Sequence, residues 1–70
     1  MASKYVQVYT DLKNRIESQA LETGQALPAE GELMDYYQVS RDTVRKALGI
    51  LENQGYIQKS RGRVAVVVER

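Results

Sequence analysis

The chain has 70 residues, of which 43% are apolar and 27% charged, as expected for one small globular domain. It contains no cysteine and no histidine, which excludes disulfides and the usual zinc ligands, so neither a metal nor a cofactor is expected. Residues 1–40 carry three basic and six acidic side chains, whereas residues 41–70 carry seven basic and three acidic ones. This asymmetry favours an anionic partner for the C-terminal half, with a solvated surface as the alternative.

The apolar runs are too short to span a bilayer, and the first residues lack the apolar stretch of a secretory signal. No membrane partner is therefore expected, and a cytoplasmic protein is the default prediction. Catalysis without histidine or cysteine would depend on carboxylates, serine, threonine or lysine, and 70 residues leave little room for a substrate pocket. We therefore do not expect an enzyme.

The first predicted element is an amphipathic helix from about Ser3 to Ala20. Its apolar residues recur at helical spacing and form one stripe, which consists of Tyr5, Val8, Tyr9, Leu12 and Ile16. The two tyrosines are interpreted as core residues rather than as a platform on which bases stack. Residues 21–27 contain Gly24 and form a loop or a short extended segment that leads to Pro28.

A second helix is predicted from about Ala29 to Tyr37, because a preceding proline suits the start of a helix. Glu30 and Glu32 fall in its first turn, where the helix dipole favours negative charge. The residues expected to face the core are Leu33, Tyr36 and Tyr37. Residues 38–39 then leave room only for a tight turn.

The third helix is predicted from Arg41 to Asn53. Ser40 is suited to cap it, because a serine hydroxyl can accept a hydrogen bond from a free amide of the first turn. Gly55 is placed as the left-handed residue that ends it. The stripe expected to be buried consists of Val44, Ala47, Leu48 and Leu51.

Two β-prone runs, residues 56–59 and 64–68, predict a hairpin after the third helix. Its basic tip, residues 60–63, suits a minor groove, where arginine is favoured electrostatically, although such a turn by itself is more often plain solvated surface. The predicted fold is α+β: a winged helix-turn-helix of three helices and a two-stranded wing.

The third helix carries the residues expected to read DNA. In a helix-turn-helix the second helix of the pair enters the major groove, and its N-terminal residues reach the base edges. Arginine offers a forked donor to guanine O6 and N7. Asp42 either accepts from cytosine N4 or orients a neighbouring arginine, and the amides at the helix start can hold a phosphate. The candidate DNA-binding residues are Ser40, Arg41, Asp42, Thr43, Arg45, Lys46, Arg61, Gly62 and Arg63.

Gly49 lies on the same outer face of the third helix. A glycine inside a helix lowers the stability of that helix by about 1 kcal/mol relative to alanine. Either another molecule approaches closely there, or the glycine is simply tolerated.

An alternative function is a winged helix that binds only other proteins, which would require an exposed apolar patch on the third helix. The arginines of this face make that alternative less favourable. Binding of RNA or of single-stranded DNA would favour exposed aromatic residues on which bases stack. Most tyrosines of this chain are instead expected on the inward stripes of the helices.

Three segments resemble the N-terminal DNA-binding domain of GntR-family regulators, and the similarity spans roughly residues 5–67. They are Leu27–Leu33 (LPAEGEL), Val39–Leu48 (VSRDTVRKAL) and Leu51–Ile57 (LENQGYI). The tyrosine-bearing first helix, together with Thr43–Leu48 and Gly55–Lys59, is most similar to the HutC-like subgroup. The resemblance implies a winged helix that binds double-stranded operator DNA and represses a bacterial operon until a metabolite releases it.

The family's base- or phosphate-contacting positions in the recognition helix correspond to Ser40, Arg41, Asp42 and Arg45. Its minor-groove positions in the wing correspond to Arg61 and Gly62. The resemblance further implies that residues 1–70 are the DNA-binding domain, and that a C-terminal domain absent here binds an effector, often a sugar phosphate, and forms a homodimer. The chain departs from the family pattern at Ala29 (often a serine cap), Gly31 (often basic) and Val64-Ala65 (usually Gly-Thr).

Overall fold

The computed structural model describes residues 3–59 and 64–68, which form three helices followed by a two-stranded antiparallel sheet. The helices are α1 (Lys4–Glu17), α2 (Glu30–Tyr37) and α3 (Arg41–Asn53), and the strands are β1 (Ile57–Gln58) and β2 (Val66–Val67). The predicted order of elements and the α+β class are confirmed. No helix within the described ranges is long and apolar enough to cross a membrane.

Helix α1 is shorter than the predicted Ser3–Ala20 because the chain turns at its C-terminal end. Gln19 adopts a left-handed conformation with a φ of 66°. The amide of Gln19 then donates to the Ile16 carbonyl at 3.1 Å, and that of Leu21 donates to the Arg15 carbonyl at 3.0 Å. These bonds satisfy carbonyls at the helix end without a glycine.

The core forms where α1 packs on α3 and where α3 contacts the sheet. The stripe predicted for α3 is confirmed, and its side chains are joined by buried residues from every other element. The buried apolar residues include Val8, Leu12, Leu27, Leu33, Val44, Ala47, Leu48, Leu51, Ile57 and Val67. On α1, Val8 and Leu12 are buried, and Tyr9 and Ile16 pack against the core as predicted, whereas Tyr5 is half-buried beside it.

Tyr36 does not face the core, and that prediction is wrong. Its side chain is 59% exposed. Adjacent residues on a helix point about 100° apart, so Leu33 and Tyr37 take the side of α2 that faces the core. Tyr36 instead packs edge-on against Tyr37, with ring centroids 4.8 Å apart, and lies beneath the guanidinium of Arg15 at 5.0 Å.

The segment before Pro28 is extended and pairs with β2. Gly24 N donates to Val67 O at 2.7 Å, Val67 N donates to Gln25 O at 2.9 Å, and Leu27 N donates to Ala65 O at 2.8 Å. The sequence left open whether residues 21–27 form a loop or an extended segment. The second half of these residues is extended. This pairing attaches the start of α2 to the base of the hairpin.

Tyrosine hydroxyls connect α1 to the other elements. Tyr9 donates to Gln54 at 2.5 Å, Tyr56 donates to Glu17 at 2.9 Å, and Tyr37 donates to Asp11. Burial, followed by this bond to Asp11, raises the pKa of Tyr37 well above its ordinary value. The tyrosines of this small domain therefore supply polar links between helices as well as apolar surface.

Candidate nucleic-acid interface

The turn between α2 and α3 is tight because one residue adopts a left-handed conformation. Gln38 has a φ of 56°, and the next amide, of Val39, donates to the Met34 carbonyl at 3.1 Å. Ser40 then caps α3 as predicted, since its Oγ accepts from Thr43 N at 3.3 Å. This hydroxyl also lies 3.0 Å from Thr43 Oγ1. The start of α3 is therefore held in a fixed direction relative to α2.

The outer face of α3 is polar and open. The predicted side chains Arg41, Asp42, Arg45 and Lys46 are all exposed, opposite the buried stripe. A Cβ atom added to Gly49 would meet no atom of the described chain within 4 Å beyond its own helix backbone. Intramolecular packing therefore does not account for the glycine, and a molecule approaching this face would meet bare helix backbone beside the arginines.

Glu30 is a member of this surface that the sequence analysis missed. Its Oε1 atom lies 3.3 Å from Arg45 Nε and 3.9 Å from Arg41 Nε, and its Oε2 atom accepts from Lys59 Nζ at 3.1 Å. The hydrogen bond from Lys59, followed by the charges of Lys59 and Arg45, lowers the pKa of Glu30. The carboxylate is therefore ionised at neutral pH and shared among three cations.

No sequence signal predicted this group, because its members are distant along the chain. A glutamate in the first turn of a helix is fully explained by the helix dipole. Only the packing of α2 across α3 brings the carboxylate to the arginines. Asp42, the carboxylate expected to orient an arginine, forms no ion pair within the described part of the chain.

Lys46 and Thr43 occupy other sides of α3. Lys46 Nζ lies 5.5 Å from the ring centroid of Tyr5, so this cation is directed towards α1 rather than towards Glu30. Thr43 is half-buried, and its hydroxyl is paired with Ser40. The candidate residues of α3 are thus brought together on one helix, with cations both on the α2 side and on the α1 side.

The base of the hairpin is attached to the same surface. Its register pairs Ile57 with Val67 and Gln58 with Val66. The next residue, Lys59, donates through its amide to Glu52 of α3 at 3.1 Å and through Nζ to Glu30. The predicted wing residues Arg61, Gly62 and Arg63, with Ser60, lie outside the described residues.

Helices α2 and α3 joined by a tight turn, followed by a hairpin whose base contacts α3, define a winged helix-turn-helix domain. Residues 4–67 match the model of the gntR family of bacterial regulatory proteins. The chain belongs to this family and is a helix-turn-helix DNA-binding domain of the GntR type. Because the family consists of regulatory proteins, the expectation that the chain is not an enzyme is confirmed.

The chain is similar to known proteins both in sequence and in structure. The chain is 44% identical over 68 residues to the HTH-type transcriptional regulator TreR of Bacillus subtilis, covering 97% of this chain and 29% of TreR. A crystal structure of the AraR DNA-binding domain in complex with operator ORE1 superposes with a TM-score of 0.94 at 37% identity, covering 97% of this chain and 83% of that one. The chain spans less than a third of the length of the curated relatives it matches.

A solved structure of a protein from Streptococcus agalactiae is similar to the chain at lower sequence identity. Streptococcus agalactiae BusR, in complex with its busAB-promotor DNA, superposes with a TM-score of 0.88 at 26% identity, covering 99% of this chain and 34% of that one.

Proposed function

We propose that this chain binds double-stranded operator DNA sequence-specifically, as the DNA-reading domain of a bacterial transcription repressor that acts in the cytoplasm. The observation that carries the proposal is the exposure of Arg41 and Arg45 near the start of α3, on the side opposite the core. Residues at this position of a recognition helix reach base edges in the major groove. Structures of AraR in complex with an operator and of BusR in complex with its promotor DNA support DNA binding by this type of domain.

The candidate residues have distinct roles in this proposal. At least one of Arg41 and Arg45 donates to guanine O6 and N7. Asp42 accepts from a cytosine amino group, and Lys46 attracts a phosphate on the α1 side. The capped start of α3, with Ser40 and Thr43, presents free backbone amides to another phosphate.

A domain that bound only other proteins would need an apolar patch on α3. The large apolar side chains exposed among residues 3–59 and 64–68 are Tyr36 and Val64, and neither belongs to that helix. The exposed face of α3 is instead polar and charged. DNA binding is therefore the function that this surface supports better.

An unbiased selection of duplexes at low salt tests the proposed function directly. The wild-type chain is incubated with randomised double-stranded DNA, and bound sequences are recovered over several rounds. We expect a half-site sequence to be enriched, and recovery of palindromes whose half-sites lie about one helical turn apart would also give the symmetry of the operator. Enrichment of no sequence, with binding that follows duplex length alone, would contradict sequence-specific recognition.

The wing is proposed to enter the minor groove beside the half-site through Arg61, Gly62 and Arg63. Arginines in a narrow minor groove favour A·T-rich steps, because the groove is more negative there. Replacing both Arg61 and Arg63 by alanine should therefore remove an A·T preference flanking the selected site. The measurement is a repeat of the selection with the double variant, and an unchanged flanking preference would reduce the wing to a general cationic surface.

We further propose that the whole regulator is a homodimer joined by a C-terminal domain that binds a small effector, such as a sugar phosphate. The apolar stripes of α1 and α3 are used in the core of a single copy, so the described residues offer no second apolar seam on these helices. The 70-residue chain should therefore be a monomer that binds one half-site weakly, since the second half-site gains no effective concentration.

Salt should weaken this binding steeply, because each phosphate contact contributes about −0.9 to the slope of log affinity against log salt concentration. Analytical ultracentrifugation measures the association state, and a salt titration on half-site and full-site duplexes measures the slope. A tight dimer at micromolar concentration, or nanomolar binding that salt does not affect, would contradict this expectation.

A further inference from the structure

Glu30 joins cations that come from two different parts of the proposed DNA-binding surface. Arg41 and Arg45 belong to α3, and Lys59 lies where the chain leaves β1 towards the tip of the hairpin. All three contact the same carboxylate within 4 Å. The Glu30 side chain is only 23% exposed, whereas those of the two arginines are more than half exposed. The cations thus remain accessible while the carboxylate lies beneath them.

This arrangement has one effect that does not depend on DNA sequence. A carboxylate close to a cation cancels part of its attraction to any phosphate. Binding to an arbitrary duplex depends almost wholly on such attraction, whereas binding to an operator also includes base contacts. Glu30 partly neutralises Arg41, Arg45 and Lys59. It therefore removes a larger fraction of the binding free energy for an arbitrary duplex than of that for the operator.

The second effect is on the orientation of Arg45. Glu30 accepts from Nε, which is the inner nitrogen of the guanidinium, at 3.3 Å. The outer Nη groups of Arg45 are not used in this bond, and they form the forked pair of donors that guanine O6 and N7 accept. A side chain held at Nε also loses less conformational freedom when it meets a base.

We propose that Glu30 is a specificity-determining residue, which suppresses binding to arbitrary duplexes and holds Arg45 in the orientation that reads a base. This inference rests on the proposed DNA-binding function. Glu30 acts here as a positioning residue, through the cations it contacts rather than through a contact with DNA.

The test compares Glu30→Gln with the wild type on the selected operator and on a scrambled duplex of equal length. Glutamine keeps the size of the side chain and removes its charge. We expect affinity for the scrambled duplex to rise about threefold or more, and its salt slope to steepen by about 0.9 for each further phosphate that the variant neutralises. The ratio of operator to scrambled affinity should fall about tenfold, within the range that one base-reading pair contributes.

Glu32→Gln is the matched control, because it makes the same charge change in the same turn of α2. Glu32 forms no ion pair with the residues that the structure describes. This control should leave the ratio of affinities near the wild-type value. If Glu30→Gln gives the same affinities as Glu32→Gln, or weakens both duplexes by one common factor, the inference is wrong.

A double-mutant cycle tests the positioning role separately. If Glu30 acts through Arg45, the effects of Glu30→Gln and Arg45→Ala on operator binding should be non-additive. Additive effects would overturn the positioning role. A wild-type chain that selects no duplex would contradict the proposed function itself, whereas a selective wild type with an equally selective Glu30→Gln variant would contradict only this inference.

Discussion

Replacing Arg45 by alanine should weaken binding to the selected operator by about 1–3 kcal/mol and relax the preference at one base position. Arg45 lies in the first half of α3, and its side chain is 58% exposed. Its guanidinium is therefore accessible to a base edge when α3 enters the major groove. Fluorescence anisotropy with duplexes changed one base pair at a time measures both the affinity and the preference.

Arg15→Ala is the matched control for the loss of one arginine. Arg15 belongs to α1, where it pairs with Asp11 at 3.1 Å and donates to the Tyr36 hydroxyl at 2.5 Å. Its removal should change operator binding little and should leave base preference intact. If Arg45→Ala instead weakens every duplex by one factor, Arg45 contacts phosphate, and the same series on Arg41→Ala tests whether that arginine reads the base.

Leu51→Ala should lower the free energy of unfolding by about 2–5 kcal/mol. Leu51 is fully buried in α3, in the core that α1 and the strands complete. A domain of this size has only a few kcal/mol of stability to lose. The variant should therefore be largely unfolded and should lose DNA binding although Leu51 lies on the side of α3 opposite the arginines. Urea denaturation followed by far-ultraviolet circular dichroism measures the change.

Val64→Ala controls for truncation of an apolar side chain outside the core. Val64 is 43% exposed, so its loss should change stability by no more than about 0.5 kcal/mol. Equal losses in the two variants, or a stable Leu51→Ala protein, would contradict the assignment of the core to the inner stripe of α3.

Helix α3 was predictable because the signals that define it act within one or two turns. The predicted bounds, Arg41–Asn53, agree with the structure, and the predicted buried stripe is buried. The Ser40 hydroxyl accepts from the first turn, and Gly55 follows the helix with a φ of +85°. Helical spacing also placed Arg41 and Arg45 on the outer face, since one side of an amphipathic helix determines the other.

Predictions from the local sequence pattern were less accurate where the structure of a segment depends on the other elements that it packs against or pairs with. The pattern of α2 did not show which of two adjacent tyrosines would face the core, because that depends on how a short helix packs against α1 and α3. Helical periodicity likewise extended α1 to Ala20, although the chain turns at Gln19. The extended structure of residues 25–27 depends on pairing with β2, which is some 40 residues away in sequence.

The sequence by itself thus determined the order of elements, the inner and outer faces of α3 and the candidate residues on its outer face, because periodicity and capping are local properties. The tertiary structure decided which groups form ion pairs with those residues. Glu30 and Arg45 are 15 residues apart, and Glu30 and Lys59 are 29 apart. An ion pair between such residues has no sequence period, and it exists only because the core fixes α2, α3 and β1 against one another.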